Sequence, residues 1–95
     1  MARITWTTPA TIDLNEIYNY ISKDSKTYAL KLIDKIYERT LILKTHPLSG
    51  RVVPEYETET IREIFHGVYR IMYEIDSINS ITILRVIHGA RLLNV

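Results

Sequence analysis

The chain has no cysteine. Neither a disulfide framework nor a thiolate metal site can form, and a reducing compartment, the cytoplasm, is the expected setting. Glycine and proline are scarce, at three each in 95 residues, so long loops and low-complexity linkers are excluded. The N-terminal Met1-Ala2-Arg3-Ile4-Thr5-Trp6 lacks the apolar core of a secretory signal, and no run approaches membrane-spanning length. Charge of one sign is also lacking: twelve basic against eleven acidic residues leave a net +1, which gives no global argument for nucleic acid. His46, His66 and His88 are too scattered for a metal cluster, and there is no glycine-rich phosphate loop or Ser/His/Asp arrangement. Neither a metal nor a cofactor is expected.

What is present fits one ordered domain spanning residues 1–95. Apolar residues make up 46% of the chain, enough for a folded globule, and this length buries roughly two-thirds of the unfolded surface around a single core. The densest β signal runs from Ile61 to Arg91. Three runs rich in Ile, Val, Phe and Tyr are broken by His66-Gly67 and by Asp76-Ser77-Ile78-Asn79, the pattern of an antiparallel meander. In the middle run Tyr69, Ile71, Tyr73 and Ile75 alternate with Val68, Arg70, Met72 and Glu74. That predicts one buried face and one working face, with Arg70 needing solvent, a carboxylate or a ligand. The last run is apolar on both sides, Ile81, Ile83, Arg85 and Ile87 against Thr82, Leu84, Val86 and His88, so its facing stays open.

Upstream, a short β-prone run around Trp6 leads to Thr8-Pro9, a helix start with Thr8 as cap. Ala10, Leu14, Ile17, Tyr18 and Ile21 recur at helical spacing, with Asp13, Asn15 and Glu16 off that face. After a polar break with Asp24 and Ser25 as cap candidates, Ala29, Leu32, Ile33, Ile36, Thr40 and Leu43 mark a second helix that His46-Pro47 ends. Tyr18, Tyr20, Tyr28 and Tyr37 dot the pair and read as border tyrosines with their hydroxyls in water. Val52 to Glu59, with Pro54 and three glutamates, reads as an irregular surface connection. The predicted fold class is α+β in the order β-α-α-β-β-β: an N-terminal strand, then an antiparallel helical hairpin packed on one face of a mainly antiparallel sheet.

Cations divide by position. All five lysines lie between Lys23 and Lys44, whereas from residue 51 onward the cations are Arg51, Arg62, Arg70, Arg85 and Arg91. Arginine's planar fork suits bidentate contact with carboxylate or phosphate. The same half holds Glu55, Glu57, Glu59, Glu63, Glu74 and Asp76, so internal pairing of Arg70 with Glu63 or Glu74 stands beside target recognition. Glu55 and His66 are acid-base candidates by residue type, against the simpler reading of solvated surface groups.

In order and spacing, Trp6-Thr7, Ala10, Asp13-Leu14, Ile17, Tyr20-Ile21, Ala29, His46-Pro47-Leu48-Ser49-Gly50-Arg51, Ile61-Arg62-Glu63, Tyr69-Arg70-Ile71-Met72-Tyr73 and Val86-Ile87-His88-Gly89-Ala90-Arg91 resemble the ParE/RelE superfamily. These are the small toxins of bacterial and archaeal type II toxin-antitoxin modules. The resemblance implies a toxin neutralised by a cognate antitoxin encoded beside it, and so a hetero-oligomer.

Two activities occur in that superfamily. ParE-like members inhibit DNA gyrase; RelE-like members are metal-independent, ribosome-dependent mRNA interferases in which arginine holds the scissile phosphate and another side chain moves the proton. Under the RelE-like reading the resemblance assigns Arg70 and Arg91 as the catalytic cations, with His88 or Glu55 for proton transfer. The terminal tyrosine of the RelE pattern is absent, because Leu92-Leu93-Asn94-Val95 follows Arg91. The ParE-like reading is therefore the expectation, with the mRNA interferase, acting on ribosome and mRNA, as alternative and an inactive toxin-like binding module as third. Arg62, Arg70, Arg85, Arg91, Leu92 and Leu93 are the expected target- or antitoxin-binding residues. Alanine at Arg70 or Arg91 is expected to cost toxicity more than stability.

Overall fold

Thr7, not Thr8, starts the first helix. Its backbone is extended (φ −73°, ψ 161°), and its Oγ1 accepts the Ala10 N–H at 3.1 Å. Helix α1 then runs Thr8–Ser22, with Pro9 in the first turn, where no intrahelical donor is needed. The cap moves one residue back because the Thr7 hydroxyl also donates to Leu84 O at 2.9 Å, tying the helix start to the final strand. In this computed structural model, which describes residues 1–89, α2 runs Lys26–Thr40 and is capped by Ser25 Oγ, which accepts the Tyr28 N–H. The chain tightens into a 3-10 turn at Leu41–Lys44, and a second such turn at Pro47–Ser49 follows His46.

Five strands form one sheet: β1 (Arg3–Trp6), β2 (Arg51–Val52), β3 (Ile61–His66), β4 (Tyr69–Ser77) and β5 (Ser80–His88), in the spatial order β1-β5-β4-β3-β2. β1 lies parallel to β5 and every other pair is antiparallel. The expected α+β plan holds. It gains one element, the two-residue edge strand β2, where the sequence reading began an irregular connection. Gly67 turns β3 into β4 with φ +56°, a conformation glycine adopts without a Cβ penalty.

The helical hairpin covers one face of the sheet. Ala10, Leu32, Ile36 and Leu43 pack there with Ile64, Ile71, Tyr73, Ile81, Ile83 and Val86. Tyr20, Tyr28 and Tyr37 stay exposed on the outside, and Tyr37 stacks on Trp6 at 6.4 Å between ring centroids. The opposite face is not open, which corrects the expectation of a bare working side. Val53, Met72 and Ile87 form a second small cluster there, flanked by Ile61, beneath the segment that follows β2. β4 is thus buried on both faces over Arg70 to Tyr73.

A β-bulge settles how the last strand faces. Tyr73 pairs with Ile83 and Met72 with Arg85, leaving Leu84 unopposed. Alternation slips by one residue there, so Ile81, Ile83 and Val86 all join the helix-side core while Ile87 joins the second cluster. Among the described residues no helix is long and apolar enough to cross a membrane.

Candidate functional site

The outer sheet face gathers its charged groups through strand register. Arg51 on β2 lies opposite Glu63 on β3, and Phe65 on β3 lies opposite Arg70 on β4, so Arg51, Glu63, Phe65 and Arg70 share one side. Glu63 is 1% exposed; its Oε1 accepts Arg70 Nε at 2.6 Å and its Oε2 accepts Arg51 Nε at 2.7 Å. Glu55 reaches over from the connection. Its carboxylate takes Arg70 Nη1 at 2.9 Å and Nη2 at 2.8 Å in a bidentate fork.

Glu55 is held at that height by Val53, which is fully buried in the second cluster and whose carbonyl accepts the N–H groups of Tyr56 and Glu57. Arg70 itself is 4% exposed. The Glu55 hydrogen bonds push its pKa up, with burial opposing and Glu63 adding to the rise, so it stays cationic at any working pH. Arg51 is more open, and its guanidinium lies 5.3 Å over the Phe65 ring. A shallow depression of about 380 Å³ is bounded by Arg51, Pro54, Glu55, Phe65, Arg70 and Gly89.

Two cations and two carboxylates make this a near-neutral ionic cluster. Its chemistry is that of a closed pairing network with one accessible guanidinium, Arg51. The strand direction is fixed from behind by Tyr73, which is buried at 0% exposure on the helix side. Its hydroxyl donates to Pro47 O at 2.6 Å and accepts the Gly50 N–H at 3.0 Å. A Cβ at Gly50 would lie 2.6 Å from both the Tyr73 hydroxyl and Glu63 O, which is why the Pro47 to Arg51 motif needs glycine there.

The candidates named from sequence fall in three places. Glu55 and Arg70 are brought together. His88 is not: it pairs with Tyr69 across the ladder, so it faces the helix side, its ring 6.1 Å from that of Tyr69, while its neighbour Ile87 shares Arg70's face. Arg91, Leu92 and Leu93 lie outside the described residues. Arg62, alternating with Glu63, points away from the cluster and donates to Glu59 O, Glu59 Oε2 and Gly50 O. His66 lies at the β3–β4 turn opposite Tyr69 and is not among the groups that meet at Glu63.

Arg85 bonds Asp13 through Nε at 2.7 Å and Nη2 at 2.9 Å, and Asp13 Oδ2 also accepts the Val86 N–H at 2.9 Å. Hydrogen bonding to Asp13 raises the Arg85 pKa. Asp13, placed off the packed face by helical spacing, is in fact 6% exposed. It closes the β5 edge where β1 has ended, a role no local pattern announces.

Two residues of the cluster were undervalued by sequence reasoning. Glu63 stood only as a bland partner for Arg70, and Arg51 only as one of five arginines in the second half of the chain, left out of the expected binding residues. The signal that finds both is the β2–β3 register, invisible until β2 is recognised. Among the described residues no group of three His, Asp or Glu side chains is placed to hold a metal ion.

The family model described as ParE toxin of the type II toxin-antitoxin system parDE matches residues 4–93. Among solved structures, the chromosomal ParDE toxin-antitoxin system from P. aeruginosa superposes with a TM-score of 0.75 at 25% identity, covering 93% of this chain and 96% of that one. The toxin-antitoxin complex RelBE2 from Mycobacterium tuberculosis shares the fold with a TM-score of 0.67 at 24% identity, covering 92% and 96% respectively. No curated protein sequence matches the chain. With a family model that spans nearly every residue, this chain belongs to the ParE toxin family of type II toxin-antitoxin systems.

Proposed function

We propose that the chain acts as a ParE-like inhibitor of DNA gyrase, by binding and not by cleaving a bond, and that a cognate antitoxin neutralises it. One observation carries this reading: the Glu55 and Glu63 carboxylates together clamp Arg70, the residue that the RelE-like reading needs for a scissile phosphate. A phosphate at Arg70 would have to displace Glu55 and then sit beside a buried carboxylate, an arrangement that repels the charge it should stabilise. His88 stands on the other face of the sheet, too far round to pass a proton at the same site.

Target contact on this side then falls to the accessible groups, Arg51 with Phe65 and Val68, the last two 40% and 54% exposed. Arg62, Arg70 and Arg85 each already hold an internal carboxylate, so an antitoxin's acids compete with Glu59, Glu55 or Asp13 to reach them. The outer tyrosines of the helical hairpin offer the antitoxin apolar area that needs no such competition.

The test is direct. Purified protein is added to a gyrase supercoiling assay and, separately, to translating ribosomes with a defined mRNA. Loss of supercoiling or a trapped cleavage complex is expected, with the mRNA intact. Cleavage of the mRNA with gyrase unaffected would overturn the proposal in favour of the ribosome-dependent interferase, whose one structural support is the Glu55 to Arg70 contact.

A further inference from the structure

Arg39 and Arg51 come from different layers of the fold and meet at one residue of β3. Arg39, in the last turn of α2, reaches the sheet and donates from Nε to Phe65 O at 3.0 Å. Arg51, on the outer face, spreads its guanidinium 5.3 Å over the Phe65 ring and spends Nε on Glu63 Oε2 at 2.7 Å. Strand register leaves this spot uncovered. β2 pairs with Arg62 and Glu63, so Phe65 lies past its end, on a stretch of β3 whose outer edge no described strand takes.

Each arginine is thus anchored by one nitrogen and keeps the other two. Among the described residues, Nη1 and Nη2 of both make no hydrogen bond or ion pair. Arg62, Arg70 and Arg85 differ, since their terminal nitrogens already donate to Glu59, Glu55 and Asp13. An anchored guanidinium has lost much of its rotamer freedom beforehand, so closing its free fork on an anion costs less than freezing a loose side chain. Beside the forks the surface is apolar, with the exposed Phe65 ring, Pro54 and Val68.

Charge and the apolar floor decide the ligand class. Two free forks call for anions. The connection that covers the rest of this face carries Glu55, Glu57 and Glu59, and every lysine belongs to the helical half of the chain. A phosphate backbone running on past the arginines would therefore meet carboxylates where it needs further cations. A protein segment with two carboxylates set either side of an apolar side chain satisfies both forks and the Phe65 ring, and needs nothing beyond them. We infer that Arg39 and Arg51 form a paired anchor for such an acidic segment of the protein that this chain inhibits. One carboxylate closes on each arginine, and the apolar side chain lies on Phe65 and Pro54. That the inhibited protein is gyrase rests on the function proposed above; the anchor and the chemistry it selects do not.

The experiment uses the whole chain, isotope-labelled for NMR of its arginine side chains and amides, and a short peptide with blocked ends that sets two leucines between two glutamates. Saturable shifts are expected at the Arg39 and Arg51 side chains and at the Phe65 amide, weakening as salt is raised, with affinity falling on the order of ten-fold in Arg39→Gln and in Arg51→Gln. Arg51 is exposed, so its variant keeps the test valid should Arg39→Gln fail to fold. The same peptide with glutamine for glutamate is expected not to bind. Equal binding of the glutamine peptide, shifts that leave both arginines unmoved, tighter binding of a single-stranded oligonucleotide at the same two side chains, or a concentration-dependent dimer that shifts them without peptide would each overturn the inference. A supercoiling assay separates it from the gyrase reading. Wild-type inhibition that both glutamine variants retain in full would overturn the anchor alone, whereas peptide binding at both arginines by a chain that leaves gyrase untouched would overturn gyrase as the target and leave the anchor standing.

Discussion

Glu63 and Arg70, seven positions apart and on adjacent strands, share a hydrogen bond of 2.6 Å with the carboxylate wholly out of water. A second arginine, Arg51, holds the other oxygen of the same carboxylate. Removing Glu63 leaves Arg70 to Glu55 alone in a site that water reaches poorly. Glu63→Ala is expected to lower unfolding free energy by about 3–5 kcal/mol, and Glu63→Met paired with Arg70→Met to recover most of it. Urea denaturation of the two variants measures this; a loss under about 1 kcal/mol for Glu63→Ala would show the pair to be idle.

Burial reverses one expectation about Arg70. Because it is 4% exposed and fixed by two carboxylates, Arg70→Ala should cost stability by about 3 kcal/mol, and toxicity should fall only in step with the folded fraction. Arg51→Ala is the separating variant. With its side chain 59% exposed, its loss is expected to cost about 1 kcal/mol or less while toxicity drops by a larger factor. Growth arrest on induced expression, set beside thermal melts, distinguishes the two arginines.

Asp13 accepts three hydrogen bonds, two from Arg85 and one from Val86. Asp13→Ala abandons all three and leaves a backbone donor of β5 unsatisfied. A loss of about 2–4 kcal/mol is expected, with the Val86 amide exchanging faster than its neighbours Ile87 and Arg85. Uniform exchange across β5 in the variant would contradict the edge-closing role.

Tyr73 predicts a pH dependence. Burial raises its pKa above the ordinary 10.0, so the folded chain holds the phenolic proton more tightly than the unfolded chain. Its contribution is therefore intact below pH 10 and is lost as pH rises above that value; Tyr69 shifts the same way. Tyr73→Phe should cost about 1–2 kcal/mol at neutral pH through the orphaned Gly50 N–H and Pro47 carbonyl. It should also flatten the alkaline fall, a difference read from melts between pH 8 and 11 in the two proteins.

The parts that were legible in the sequence are those set by local spacing. The α2 stripe of Ala29, Leu32, Ile36 and Thr40 and the meander turns at Gly67 and Asn79 follow from periodicity and turn chemistry alone. Thr7 against Thr8 was undecidable locally, since either hydroxyl can cap a helix with Pro9 in its first turn, and Leu84 O made the choice from across the chain. Asp13 looked like surface because its partner lies 72 residues away. The polar connection after Val52 concealed Val53, the anchor that brings Glu55 onto Arg70 and covers the second sheet face. The bulge at Leu84 has no composition of its own, so the facing of β5 had to come from the ladder.

The parallel pairing of β1 with β5 sets an order of events during synthesis. Arg3 to Trp6 leave the ribosome first, yet their strand partner, Ser80 to Ile83, is made almost eighty residues later. Until then the nascent chain can form its helical hairpin and the local β3–β4 pairing but cannot dock β1, since closing a loop of that span is the slow, non-local step. A ribosome stalled after Asn79 should therefore hold a chain whose β1 is still protease-sensitive. The assembled sheet, and any activity that depends on it, would arrive only once β5 is free to dock.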